Sequence, residues 1–259
     1  MTWTTRQRSE VGPLSAIVAG GGPTLVLIHG VGLRAEAWGA QIDALSKDFR
    51  VVAIDMPGHG DSAALPAGPS LSDYTKAVAT CLEEPCVVVG HSFGAMVALD
   101  LAITYPEQVM GVAALNAIFR RELSARDAVI ARAASLDGSS VADPTAPLER
   151  WFGDIPSPER AACADWLRSV DPAGYKAAYT VFAHSDGPTE AGLQAINCPA
   201  LFMTGGQEPN STPAMSRAMA GLVPNGQCAV IDDAAHMMPM THAADVTVRI
   251  ASFAKECMR

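Results

Sequence analysis

Five short runs of Val, Ile, Leu and Ala, each closing on glycine or a polar residue, limit what this chain can fold into more than any other feature. They are Thr24-Leu-Val-Leu-Ile-His29, Val51-Val-Ala-Ile-Asp55, Cys86-Val-Val-Val-Gly90, Val112-Ala-Ala-Leu-Asn116 and Ala200-Leu-Phe-Met-Thr204. Apolar runs of this length without alternation fit strands buried on both faces, the situation of a parallel sheet. Stretches with helical spacing lie between them: Ala37 to Leu45, Tyr74 to Leu82 and Ala95 to Ala102. Strand alternating with helix predicts an α/β fold with a mostly parallel sheet covered by helices on both faces.

The alternation stops between about Arg120 and Asn197, where no strand pattern is found and aromatics return: Trp151, Phe152, Trp166, Tyr175, Tyr179 and Phe182. The last three, spaced by four and three, share one helix face. The expected organisation is therefore a core in two parts, residues 1–119 and 198–259, with a helical insertion at 120–197.

Composition narrows the function classes. The chain has 259 residues, enough to bury roughly 70% of its unfolded surface without disulfide staples. Eighteen Lys and Arg against 27 Asp and Glu give a net charge of −9, which repels nucleic acid and anionic lipid. Hydrophobic residues at 49% and charged residues at 17% mark a globular chain. The N-terminus carries no apolar leader and no later run approaches the ~18 residues of a membrane span, so a cytoplasmic protein with no membrane partner is expected. The six cysteines lie scattered without a Cys-x-x-Cys pair, which suggests neither a zinc site nor a disulfide scaffold.

The sharpest chemical signal is Gly90-His-Ser92-Phe-Gly94, placed between a strand-like run and a helical one. A serine there sits at the tip of a sharp strand-to-helix turn, a nucleophile elbow, and the glycines are required because a side chain at either position would clash with its surroundings. A serine hydroxyl needs a base to take its proton, and six histidines are available. His236 follows the strand-like Cys228-Ala-Val-Ile231 and a short loop.

With these blocks the chain resembles the α/β-hydrolases. The resemblance is carried in order by His29-Gly-Val-Gly32, Asp55-Met-Pro-Gly-His-Gly-Asp-Ser62, Gly90-His-Ser-Phe-Gly94 and Ala235-His236, and it spans nearly the whole chain outside 120–197. It implies the α/β-hydrolase fold with a helical cap, residues 120–197, inserted after the sixth strand. It also implies a Ser92, Glu208, His236 triad in the chain order Ser, acid, His. His29, His59 and His91 take structural roles, His184 lies in the cap, and His242 starts or lies in the last helix. Glu208, in Thr204-Gly-Gly-Gln-Glu208, stands where relatives more often have Asp, so Asp232 and Asp233 remain alternatives for the acid. Asn116 carries no charge and does not qualify. The backbone N–H groups of Val31 and Phe93 are the implied oxyanion donors, which leaves the two side chains free to line the pocket.

The resemblance points to a serine hydrolase acting on a small, mostly apolar carboxylic ester or lactone, similar to carboxylesterases and enol-lactonases. Two alternatives are kept: a carbon–carbon hydrolase of ring-cleavage products, and a hydrolase-fold ligand receptor with little turnover. Serine at position 92 argues against the dehalogenases and epoxide hydrolases of this fold, which attack with aspartate. Trp151 and Tyr179 are candidate pocket residues. Arg34, Arg150 or Arg168 could grip a substrate carboxylate, although each also reads as a solvated surface charge. No metal or organic cofactor is implied, because no acidic cluster accompanies His236 and His242.

Overall fold

The computed structural model describes residues 2–259. Eight strands form one sheet: β1 (Ser9–Val11), β2 (Leu14–Ala19), β3 (Thr24–Ile28), β4 (Arg50–Ile54), β5 (Cys86–His91), β6 (Val109–Leu115), β7 (Ala200–Gly205) and β8 (Gly226–Ile231). Their spatial order is β1-β2-β4-β3-β5-β6-β7-β8. The first two pairings are antiparallel and every later one is parallel, as the α/β reading expects.

Period-2 geometry explains why the central strands are apolar throughout. Val26 and Ile28 of β3, Val52 and Ile54 of β4 and Val112 and Ala114 of β6 face one core. Their neighbours Leu25, Leu27, Val51, Ala53, Ala113 and Leu115 face the other. The first core is roofed by the helices Leu71–Ala79, Phe93–Thr104 and Pro213–Leu222, through Tyr74, Val78, Leu99 and Met219. The second is roofed by Gly39–Leu45 and Ala243–Cys257, through Ile42, Leu45, Val246, Ile250 and Phe253. Each such side chain contributes roughly 1.5–3 kcal/mol when fully buried.

Five helices lie between β6 and β7: Leu123–Ser135, Thr145–Phe152, Pro158–Ser169, Pro172–His184 and Glu190–Gln194. Tyr175, Tyr179 and Phe182 do share one face, with successive ring centroids 5.9 and 5.7 Å apart. A third apolar cluster joins Leu148, Trp166, Leu167 and Tyr175 of this segment to Leu33, which follows β3, and to Met237 and Met240, which follow β8.

One ionic cluster pins the chain's start to two loops at the sheet's C-terminal edge. The Arg8 guanidinium donates to Glu36 (2.6 and 2.7 Å) and to Asp55 (2.7 Å), both with side chains withdrawn from solvent. Arg34 adds a 2.8 Å hydrogen bond to Glu36. Burial alone would raise the Glu36 carboxyl, but hydrogen bonds from Arg8 and the Arg6 backbone, with the arginine charges, bring it down to about 2.

Removing one partner of a buried ion pair leaves charge stranded, at a cost of about 3–5 kcal/mol, whereas exposed pairs contribute about 0–1 kcal/mol. Urea unfolding should therefore show Arg8→Met far less stable than wild type. Lys255→Met, which removes the exposed 2.7 Å pair with Asp48, should be nearly neutral. Equal midpoint shifts for the two variants would contradict this account of the cluster.

Candidate active site

Ser92 joins β5 to the helix Phe93–Thr104 with φ 58° and ψ −119°. A non-glycine residue in that region costs on the order of 1–3 kcal/mol, so its surroundings must impose it. They do so by close approach. A Cβ on Gly90 would overlap the carbonyl of Gly94, and one on Gly94 would overlap the carbonyls of Ile28 and His29. The Ser92 N–H also donates to the Leu115 carbonyl at 2.8 Å, which ties the turn to the end of β6. Phe93 opens the helix, so its N–H has no intrahelical acceptor.

The loop after β3 lies against this turn: a Cβ on Gly30 would come within 3.1 Å of the Ser92 Cβ. Two buried histidines set its shape. His29 donates from Nδ1 to the Gly30 carbonyl (2.7 Å) and accepts the Met56 N–H at Nε2 (3.0 Å). His59 accepts the Gly32 N–H at Nε2 (3.0 Å) while its Nδ1 faces the Pro57 carbonyl at 3.1 Å. Burial lowers both rings, His29 to about 3, so both are neutral hydrogen-bonding struts at neutral pH.

His236 lies on the loop after β8, half-buried, with Nδ1 2.7 Å from Glu208 Oε2. The other carboxylate oxygen accepts the N–H groups of Asn210 (2.8 Å) and Ser211 (3.3 Å). Burial would raise the Glu208 carboxyl, but the nearby His236 charge and hydrogen bond, with those two amides, hold it at about 2. Neither neighbouring aspartate meets the ring at Nδ1. Asp233 is exposed and faces His242 at 3.5 Å, and the Asp232 carbonyl accepts from Gln207.

Two side chains converge on the main chain of His236. Its carbonyl accepts His91 Nε2 at 2.7 Å and Asn116 Nδ2 at 2.6 Å. Burial, with the charge of His236, keeps His91 near 3 and so neutral. Asn116, at φ 50°, reaches across the strand ends: its Oδ1 accepts the Gly205 N–H (3.3 Å) and lies 2.9 Å from the Thr204 hydroxyl. Uncharged Asn116 does not qualify as the acid, and its role is to hold the His236 loop. Its signal was its place at a strand end beside the elbow.

Ser92 and His236 line one cavity of about 530 Å³ between the strand ends and the 120–197 helices. Val31, Trp151 and Tyr179 line it too, and the Trp151 ring stacks on His236 with centroids 5.8 Å apart. The structure corrects three expectations. The Phe93 side chain is not in the cavity, because it packs edge-on to Tyr74 in the core (5.2 Å). Arg34 is held by Glu36 in the buried ionic cluster, and Arg168 is exposed beside Asp165, so neither lines the cavity. Four arginines also line the cavity: Arg120, Arg121, Arg132 and Arg150. Among these, sequence reasoning had singled out only Arg150, since an arginine on a helix gives no sign of which way it faces.

A family model described as the alpha/beta hydrolase family matches residues 25–250. A relative from Acinetobacter baylyi, (E)-2-((N-methylformamido)methylene)succinate hydrolase, is 40% identical over 228 residues, 86% of each chain. A pimeloyl-[acyl-carrier protein] methyl ester esterase from Aromatoleum aromaticum is 30% identical over 246 residues, covering 88% of this chain and 96% of its own. Among solved structures, a thermophilic esterase from Thermogutta terrifontis, with malate bound, superposes with a TM-score of 0.85 at 25% identity over 97% of this chain and 99% of that one.

The position of Glu208 predicts a pH dependence. Its folded value, about 2, lies below the ordinary 4.5, so the stability attached to its ionised form is complete above about 4.5 and is lost as pH falls towards 2. The stability gap between wild type and Glu208→Gln, followed by urea unfolding, should narrow across that interval. A gap independent of pH would show that the carboxylate is not the stabilised species.

Proposed function

Because the chain belongs to the alpha/beta hydrolase family, we propose that it is a serine hydrolase that cleaves an acyl bond of a small substrate through an acyl-enzyme on Ser92. One observation carries the reading. A serine held in a strained turn and a histidine braced at Nδ1 by a buried carboxylate open into the same cavity.

The chemistry follows from the geometry. Glu208 fixes the proton of His236 on Nδ1, which leaves Nε2 as the base for the Ser92 hydroxyl. Attack on the acyl carbon builds negative charge on its oxygen, and the N–H groups of Phe93, at a helix N-terminus, and of Val31 are the donors for it. His236 then gives its proton to the leaving group, and water repeats the sequence to release the acid. Segment 120–197 acts as a cap that selects the substrate, since Trp151 and Tyr179 come from it while Ser92, Glu208 and His236 do not.

An ester or lactone is the simplest acyl bond for this machinery, and the esterase relative from Aromatoleum aromaticum supports it. The Acinetobacter baylyi relative is named for an unsaturated succinate carrying an N-formyl group, not for an ester. That name supports a second reading, in which the same serine, histidine and glutamate act on an unsaturated acid at an amide or a carbon–carbon bond.

Variant kinetics separate these roles. Ser92→Ala should lose about 10⁶-fold in kcat, following the worked protease case, and Glu208→Gln about 10⁴-fold with the fold retained. Glu208→Asp keeps the charge about 1.5 Å too far back and should retain intermediate activity, since a misplacement near 1 Å costs about a hundredfold. Near-wild-type turnover by Glu208→Gln, with Asp233→Asn inactive, would move the acid to the loop before His236.

A further inference from the structure

The cavity carries more positive charge than the protein itself neutralises. Four arginines line it against one carboxylate, in a chain whose net charge is −9. Two of the four are already matched: Arg120 meets Glu190 at 2.5 Å, and the buried Arg121 meets Asp186 at 2.9 Å. Arg132, on the helix Leu123–Ser135, and Arg150, on the helix Thr145–Phe152, form no ion pair among the described residues. The Nη2 of Arg132 is buried and donates to nothing, which costs the desolvation of the group with no return from the protein. A second orphan faces the same space. Ser211, 1% exposed on the loop that carries Glu208, has a buried hydroxyl without a partner.

These groups share the cavity with a half-buried phenol. The Tyr179 hydroxyl is raised by its burial and by Tyr175, while the charges of Arg150, Arg132 and Arg121 all act on it in the opposite sense. Arg121, Arg132, Arg150 and Tyr179 all belong to the 120–197 segment and line the same cavity as Ser92 and His236. A planar guanidinium fork matches a carboxylate, and two unpaired forks on two separate helices match two separated carboxylates better than one compact anion.

We propose that Arg132 and Arg150 hold the two carboxylates of a dicarboxylic substrate while its acyl group lies at Ser92. The substrate class rests on the serine-hydrolase reading for its last clause only. The Ser211 hydroxyl supplies a neutral donor to the bound anion, and Tyr179 lines the same cavity. A cavity of about 530 Å³ is large enough for a small diacid with an acyl substituent.

Binding measurements test this without turnover. Titrated into the wild-type protein and followed by calorimetry, succinate or glutarate should bind at least about tenfold more tightly than acetate, succinamide or inorganic phosphate. Arg132→Met and Arg150→Met should each weaken the diacid by about tenfold to a hundredfold, the range for a charge-assisted hydrogen bond. Arg132→Lys should fall between, and the exposed Arg168→Met, outside the cavity, should bind as wild type. Diacid and diamide binding alike to wild type would overturn the proposal even if a variant failed to fold. So would phosphate binding most tightly, or folded Arg132→Met and Arg150→Met proteins that bind succinate as wild type does. Full turnover by Ser92→Ala would sink the nucleophile reading instead and leave these affinities untouched.

Discussion

The turn at Ser92 is the constraint on which the rest of the site depends. A serine at φ 58° and ψ −119° is unfavourable in isolation, and it persists because the helix Phe93–Thr104 and the ends of β3 and β6 leave the backbone nowhere else to go. The same parallel sheet delivers the other parts. The Val31 loop follows β3, Asn116 follows β6, Glu208 follows β7 and His236 follows β8. Carboxyl ends of parallel strands form the crevice of an open α/β sheet, so five loops far apart in sequence meet without a dedicated scaffold.

Charge is rationed around that crevice. His29, His59 and His91 are buried and neutral, His29 and His59 bonding main-chain groups through both ring nitrogens and His91 through Nε2. The carboxylate of Glu208 is held ionised by His236 and two amides. His236 is thus fixed at both ends, its ring by Glu208 and its carbonyl by His91 and Asn116. A base that must shuttle a proton over a short distance benefits from both restraints, because small displacements cost large factors in rate.

Much of this was legible in the sequence, and the gaps have physical reasons. The central strands and three of the roofing helices follow from period: β3 to β7 are apolar on both faces, and the helices Gly39–Leu45, Leu71–Ala79 and Phe93–Thr104 lie within a few residues of where spacing places them. The edge pair β1 and β2 escaped: Ser9-Glu-Val11 is three residues long and mostly exposed, and the apolar stretch Ala16-Ile-Val-Ala19 of β2 is only four residues long and runs straight into Gly20-Gly-Gly. Gly90-His-Ser-Phe-Gly94 located the elbow because its close contacts forbid side chains at both glycines. Side-chain direction was not legible. Phe93 turns into the core, Arg34 is drawn to Glu36, and Arg132 turns into the cavity, and only tertiary packing decides such choices.

The central claim is that Ser92 becomes covalently acylated during turnover, and its most direct test is the mass of that intermediate. Protein quenched in acid during the burst with an activated ester such as p-nitrophenyl butyrate can be digested and its peptides mapped by mass spectrometry. The account predicts one butyryl group, on the peptide that contains Ser92 and on that residue. An acyl group carried instead by a cysteine or by His236, with Ser92 unmodified during the burst, would contradict it.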